Sequence, residues 1–385
     1  MKKIRIALIL PSNKGTIARR ANDLYWFLIN RNASVYVIVL NNSPQPEFQF
    51  PHEYIFKTSL ELIPAIKILI QGFWLRKIKK NIKPDITINT LSNCSIVSLL
   101  SGGKDVKIGM FRAPIEQNRD WNKNRRTTNI AYRYFFPKLS KLYCVSDEVR
   151  LSINNNYPQI PRHKIETVYN PFDNYRIENL GNEEVFEKEF NTHKVIVCVG
   201  RIEKIKGYDR IITAYSLLED YLIKQSKIVF IGRKTPHYFP VIEALITRLG
   251  IENNVLFLDH QSNPYKYVKR SNIFVLSSLQ EGLPGALIEA LVLKTPVIAT
   301  NCSLGVWEAM GVKKNHSRNL QGVYRAPSGY ITSNLAFLDY SKNDMDVSNM
   351  LKALTCMLTC PKKNYDFSCA DKFNSETIID RFINP

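Results

Sequence analysis

The amino-acid sequence predicts an α/β protein of two doubly wound domains of similar size, each a parallel sheet covered by helices, facing one another. Three observations carry that expectation. The chain has 385 residues, more than one ordinary α/β layer domain of ~100–200 residues needs. Short β-branched runs alternate with longer amphipathic ones, which is the pattern of βαβ units with both sheet faces covered. The alternation stops at a polar, acidic stretch, residues 174–193 with Glu183, Glu184, Glu187 and Glu189, and then restarts.

In the first series, residues 4–10 read as a strand that Pro11, Ser12 and Asn13 end. A helix follows at 17–31 and a strand at 34–40, then a helix at 60–80 and strands at 85–89, 107–110, 139–145 and 165–169, the last closed by Asn170-Pro171. Residues 174–193 serve as the linker. The second series runs strand 194–199, helix 208–221, strand 227–231, helix 238–249, strands 254–258 and 273–276, helix 286–293 and strand 296–299. Ligands of such sheets bind beyond the carboxyl ends of the strands, so the loops after Leu10, Val199, Ile231, Leu258 and Leu276 are where chemistry is expected.

Composition bounds the function classes. With 45% hydrophobic, 23% charged and 11% aromatic residues, the chain is globular, not collagen-like, disordered or disulfide-stapled. Its seven cysteines are odd in number, spread widely and set mostly in apolar runs, as expected of reduced thiols in a cytosol. The apolar run within residues 60–75 is broken by Pro64, Lys67 and Gln71, short of the ~18–20 residues of a spanning helix. No secretory signal is legible, and a soluble or peripheral protein is expected. The net charge is +19, and residues 1–170 hold 27 Lys and Arg against 11 Asp and Glu. That field admits anionic membrane, phosphate-rich substrates and nucleic acid as partners.

Two segments carry candidate chemistry. Gly200-Arg201-Ile202-Glu203-Lys204-Ile205-Lys206-Gly207 joins a buried strand to a helix, placing two cations and a glycine turn beside free helix amides, an arrangement suited to phosphate. The other reading is an ordinary strand–helix turn with solvated basic residues. It is neither a Walker loop nor a dinucleotide fingerprint. In Glu281-Gly282-Leu283-Pro284-Gly285-Ala286-Leu287-Ile288-Glu289, the 282–285 loop offers amides to an anion. Glu289, one turn into the next helix, and Glu281 before the loop suit a polyol. Alternatively Glu281 caps the helix and Glu289 is solvated.

Together with residues 257–264, 274–278 and 296–300, and more weakly 143–149 and 169–173, these segments resemble glycosyltransferase family 4, the glycosyl transferases group 1. The resemblance is strong over 194–308 and collinear over 1–173. It implies a GT-B fold with two Rossmann-like domains about a central cleft: a basic, membrane-facing, acceptor-binding domain at 1–173, a nucleotide-sugar domain at 194–365, and a C-terminal helix at 366–385 crossing back to the first domain. It further implies a retaining enzyme with a UDP-sugar as co-substrate and no metal or other cofactor. Arg201 and Lys206 would then hold the donor diphosphate and stabilise the departing nucleotide. Glu289 would bind the ribose and Glu281 the transferred sugar, with Gly200 and the backbone of Gly282, Leu283, Pro284 and Gly285 at the donor. The turn Lys14-Gly15-Thr16 matches the loop that closes over the donor. Many members have a histidine where this chain has Arg112. Arginine cannot act as a base at neutral pH, which leaves a base-free front-face reaction or help from Glu116.

Other motifs weigh less. Asp344-Met345-Asp346 reads as the acidic first turn of a helix, and Cys356 and Cys360 read as half-buried thiols, with no metal expected at either. Residues 60–83 join an apolar stretch, expected mainly to face the core, to a cationic end. The cluster 119–126 suits anionic headgroups or a phosphorylated acceptor equally. The expected activity is sugar transfer from a UDP-sugar to a lipid-linked oligosaccharide or lipopolysaccharide- or capsule-type glycan, by a cytoplasmic protein peripheral at the inner face of the membrane. A basic nucleic-acid-binding protein or a GT-B epimerase are the rivals. No recognisable reader motif supports the first, so nucleic acid is not an expected partner.

Overall fold

The computed structural model describes residues 3–43, 46–57, 63–115, 125–312, 320–334, 343–359 and 365–385. The chain divides into two compact units, Met1–Phe172 with Phe373–Pro385, and Asp173–Lys372.

In the first unit, strands β1 (Arg5–Ser12), β2 (Ser34–Asn41), β3 (Glu53–Ile55), β4 (Ile86–Asn89), β5 (Val106–Phe111), β6 (Lys141–Cys144) and β7 (Ile165–Thr167) form one sheet. Its order is β3-β2-β1-β4-β5-β6-β7, and its pairs are parallel. The period of two along β1 sorts its side chains. Ile6, Leu8 and Leu10 pack with Leu24, Tyr25 and Leu28 of the helix Thr16–Asn30, while Ala7 and Ile9 pack with Leu75, Ile78 and Ile82 of the helix Pro64–Ile82. A fully buried side chain of this kind contributes about 1.5–3 kcal/mol.

The helix Pro64–Ile82 departs from expectation. Proline opens it at a position where no amide partner is lost, and Gln71, Leu75, Ile78 and Ile82 are its buried face. Ile63, Ile66, Leu69, Ile70 and Phe73, however, stand exposed. The apolar run is wide enough for two faces, and only one meets the sheet.

The second unit repeats the plan with β8 (Lys194–Val199), β9 (Ser226–Ile231), β10 (Val255–Phe257), β11 (Ile273–Leu276), β12 (Val297–Thr300), β13 (Val323–Ala326) and β14 (Gly329–Thr332). The order is β10-β9-β8-β11-β12-β14-β13. All pairs are parallel except β13 with β14, an antiparallel hairpin beyond the last strand expected from the sequence. The helix expected over 208–221 is two, Tyr208–Ser216 and Asp220–Gln225.

Residues 174–193, expected as a linker, are instead part of the second unit, with helices at Asn174–Gly181 and Glu189–Thr192. Ile177, Val185 and Phe190 are buried, Asn263 Nδ2 donates to Leu180 O at 2.8 Å, and Tyr267 Oη donates to Glu187 Oε1 at 2.9 Å. Burial and Glu187 push the Tyr267 phenol up to about 12. Three apolar anchors outweigh the acidic composition.

Residues 373–385 return to the first unit. They form two short helices, Ser375–Ile378 and Asp380–Ile383, where a single one was expected. Ile378, Ile379 and Phe382 join the first core, and Tyr143 Oη donates to Arg381 O at 2.7 Å. Among the described residues no helix is long and apolar enough to cross a membrane.

Candidate active site

At the carboxyl edge of the second sheet, β8 ends in Gly200 and leads through the turn Lys204–Lys206 to the helix Tyr208–Ser216. Gly207 makes the corner at φ +60°, and a Cβ there would stand 2.3 Å from Ser277 O. Only glycine serves both the left-handed backbone and that close approach. The approach zips two loops together: Ser277 Oγ donates to Lys206 O at 2.8 Å, and Leu279 N donates to Ile205 O at 2.8 Å. The loops after β8, β9 and β10 are tied as well, since Ile202 N donates to Arg233 O at 2.9 Å and Gly232 N to Asp259 O at 2.6 Å.

The zipper sets the chemistry. Lys206 Nζ donates to Glu281 Oε1 at 2.7 Å, and Ser278 Oγ donates to the same oxygen at 3.0 Å. Both partners keep about a fifth of their side chain exposed, 23% for Lys206 and 19% for Glu281, so the pair remains accessible to a ligand. Glu281 therefore holds Lys206 while staying partly open to solvent. Arg201 pairs with Glu203 at 3.0 Å with 66% of its side chain exposed, an arrangement worth little energetically and easily given up to a stronger anion.

Pro284 precedes the helix Gly285–Val292, whose first turn holds no acidic residue and no side-chain cap. Its leading amides and dipole therefore favour an anion. Glu289 lies one turn in, 7% exposed, and Tyr265 Oη donates to its Oε1 at 3.4 Å. Gly282 is held from behind, because a Cβ on Gly305 would stand 2.1 Å from Gly282 O. Tyr208 Oη donates to Gly200 O at 3.1 Å, and burial raises that phenol well above its ordinary value. Burial, reinforced by the charge of Glu281, pushes the nearby Cys302 thiol up to about 12, leaving it unreactive.

Lys14, Gly15 and Arg112 belong to the first unit. Gly15, at φ +84°, starts the helix Thr16–Asn30 and donates its N–H to Glu47 Oε2 at 3.0 Å. Lys14 is exposed beside it. Arg112 follows β5 and is half-buried. Its Nε donates to Thr90 O at 3.1 Å and its Nη1 to Asn170 Oδ1 at 3.0 Å. Burial and the charge of Arg20 lower it to about 10, so it is cationic at neutral pH. Glu116 and residues 119–124 lie outside the described residues.

Asp346 is 2% exposed, 3.6 Å from Arg210 and accepts from Ser333 Oγ at 2.6 Å. It closes a core network. Cys356 Sγ lies 2.8 Å from Tyr330 Oη, and Cys360 lies outside the described residues. Sequence reasoning did not find Ser277, Ser278, Tyr265, Thr90 or Asn170. Ser277, Ser278 and Asn170 lie inside segments that carry the resemblance but have no role assigned there, Tyr265 and Thr90 have no motif, and only the folded loops bring each to its partner.

Comparison with known proteins bears on the family and the fold. Residues 182–317 match the family Glycosyl transferases group 1. An uncharacterised glycosyltransferase of Methanocaldococcus jannaschii is 29% identical over 72% of this chain and 70% of its own. The N-acetylgalactosamine-N,N'-diacetylbacillosaminyl-diphospho-undecaprenol 4-alpha-N-acetylgalactosaminyltransferase of Campylobacter jejuni is 28% identical over 64% of this chain and 67% of its own. The structure of Anabaena HepE in complex with UDP and glucose superimposes with a TM-score of 0.67 at 14% identity, covering 99% of this chain and 98% of that one. The fold is GT-B, and residues 182–317, about a third of the chain, match the glycosyl transferases group 1 family.

Proposed function

We propose that this glycosyltransferase moves a hexose or N-acetylhexosamine from a UDP-sugar, with retained α configuration, onto a hydroxyl of a lipid-linked oligosaccharide or a lipopolysaccharide- or capsule-type glycan. The observation that carries the reading is the meeting of Lys206 and Glu281, 75 positions apart in sequence, at 2.7 Å beside the uncapped helix Gly285–Val292. A cation, a carboxylate and free amides at one sheet edge suit a sugar diphosphate.

In this reading Arg201, Lys206 and the 282–285 backbone hold the diphosphate, and Gly200 lets it approach the strand end. Glu289 takes the ribose hydroxyls. Glu281 accepts from the transferred sugar, and as it does so Lys206 turns its charge to the phosphate. The family resemblance assigns Lys14, Gly15 and Thr16 to the donor and Arg112 to the sugar or acceptor, and these roles are part of the proposal. The C1–O bond to UDP breaks as the acceptor oxygen bonds C1 on the same face. The acceptor proton passes to the departing diphosphate oxygen. Arg112, cationic at neutral pH, contributes charge rather than a base. Fixed cations at the leaving group stabilise the transition state without reorganisation.

The acceptor class is supported by the lipid diphosphate in the name of the Campylobacter relative and by the excess of Lys and Arg in residues 1–170. The UDP in the HepE structure supports the donor. The same charge supports the reading of a cytoplasmic protein peripheral at the inner membrane face. The test is transfer of labelled sugar from a panel of UDP-sugars to undecaprenyl-diphosphate oligosaccharides, with the product anomer read by NMR. An α-linked product supports the proposal, and an inverted anomer or no transfer from any of them contradicts it.

A further inference from the structure

The first unit has a polar cavity that the proposed reaction does not use. It has a volume of about 580 Å³ and is lined by Arg5, Arg76, Lys79, Lys80, Lys83 and Lys104, with Asp85 and Asp105 as its carboxylates. Arg5 begins β1, Asp85 precedes β4 and Asp105 precedes β5, so the cavity lies at the amino edge of the sheet. Gly15 and Arg112 follow β1 and β5 at the opposite edge. With ~3.3 Å per residue along a strand, roughly 20 Å separates the two edges.

The charge in this cavity is not balanced from within. Asp105 is spent on the interior: its Oδ2 accepts from Lys79 Nζ at 2.7 Å and from Thr87 Oγ1 at 2.5 Å, and its Oδ1 from Lys107 Nζ at 3.1 Å. Asp85 accepts from the backbone N–H of Arg5 at 2.8 Å and lies 3.8 Å from Arg5 Nε, a buried atom with no hydrogen-bond acceptor among the described residues. Arg76, Lys80, Lys83 and Lys104 have no carboxylate partner among the described residues. Four unpaired cations around one concavity call for an anion with several oxygens.

The neighbouring surface says where that anion resides. Arg76, Lys80 and Lys83 sit on or just past the last turns of the helix Pro64–Ile82. On the preceding turns Ile66, Leu69, Ile70 and Phe73 share the outer face at helical spacing, and Phe73 is 68% exposed. One outward stripe thus passes from apolar to cationic along a single helix. That is the arrangement of a helix lying in a lipid interface, its apolar turns among acyl chains and its cations at headgroup level.

We propose that this cavity binds the phosphate of an anionic lipid headgroup, and that the exposed face of the helix Pro64–Ile82 enters the bilayer surface beside it. The site deepens the membrane assignment of the proposed function. It stands independently of the donor chemistry, which belongs to the other unit.

The test is co-sedimentation of the full chain with phosphatidylcholine vesicles, with and without phosphatidylglycerol, at fixed ionic strength. Lys80→Ala, Lys83→Ala and Lys104→Ala combined should weaken binding to the anionic vesicles by about 100-fold, roughly fivefold per charge. A control triple of equal charge on the same unit, Lys57→Ala, Lys138→Ala and Arg162→Ala, should change it by less than about fivefold. Phe73→Ser should weaken binding while leaving the vesicles' charge preference intact. UDP-dependent thermal stabilisation should be unchanged in the cavity triple, so a failure here is distinguishable from a failure of the donor site. Equal losses in both triples would reduce the cavity to diffuse charge and overturn the proposal. Stabilisation by inorganic phosphate or pyrophosphate without any vesicle binding would also overturn it, by assigning the cavity to a soluble phosphate.

Discussion

Gly305 touches no proposed ligand, yet it sets the position of the Gly282 backbone. In Gly305→Ala the new Cβ would stand 2.1 Å from Gly282 O, 3.2 Å from its carbonyl carbon and 3.3 Å from Leu283 Cα. An ordinary carbon–oxygen contact needs about 1 Å more. Gly305 is not among the residues with positive φ, so the alanine tests contact alone. The helix Leu304–Ala309 cannot give way easily, because Val306, Trp307 and Ala309 are buried and Trp307 Nε1 donates to Asn301 Oδ1 at 2.7 Å. The half-exposed Gly282–Leu283 turn must therefore move, carrying the amides proposed to face the diphosphate. Overpacking of this kind costs about 1–3 kcal/mol of stability, and a 1 Å displacement of positioning groups costs about 100-fold in rate. Steady-state kcat/KM for the UDP-sugar, with folding checked by circular dichroism, measures both. A folded variant with wild-type kcat/KM would refute the placement of the donor on this turn.

Phe382→Ala should remove about 3–5 kcal/mol from the first unit, since the ring is fully buried and packs edge-on at 5.4 Å against Tyr143; an unchanged melting temperature would contradict the anchoring of the C-terminal segment. Lys79→Met addresses pH. Burial lowers the Lys79 ammonium to about 8 from its ordinary 10.5, against the pull of Asp105. Between pH 8 and 10.5 the unfolded chain therefore binds more protons at this residue, and its contribution to stability rises with pH. Denaturation midpoints of wild type minus variant should increase across that window, and a flat difference would show that the residue is not desolvated.

Much of the fold was legible because parallel strands buried on both faces read as β-branched runs. Residues 194–199 and 273–276 are clear cases, matching β8 and β11 end to end. The failures have physical causes. β3 has three half-buried residues at a sheet edge, too few for a pattern. β13 and β14 are a hairpin of four-residue strands with polar and aromatic side chains, which mimics a loop. In residues 174–193 the acidic surface hid Ile177, Val185 and Phe190. The site divides in the same way. Gly200–Gly207 and Glu281–Glu289 are contiguous and announce themselves, whereas the Lys206–Glu281 ion pair is a product of the Gly207–Ser277 approach. Arg112 was visible as a departure from the family pattern, but its engagement by Thr90 and Asn170 depends on three strand ends meeting.

The central claim is that Arg201, Lys206 and Glu289 form one donor site. It is tested most directly by thermal shift of the wild type and of Arg201→Ala, Lys206→Ala and Glu289→Ala with a panel of UDP- and GDP-sugars. At a hundredfold excess over Kd a ligand contributes about 2.7 kcal/mol, roughly 5–10 °C for a unit of this size. The account predicts that one UDP-sugar stabilises the wild type by such an amount and that each substitution abolishes the shift without lowering the ligand-free melting temperature by more than a few degrees. Wild-type shifts in the three folded variants, or no response of the wild type to any sugar nucleotide, would contradict it.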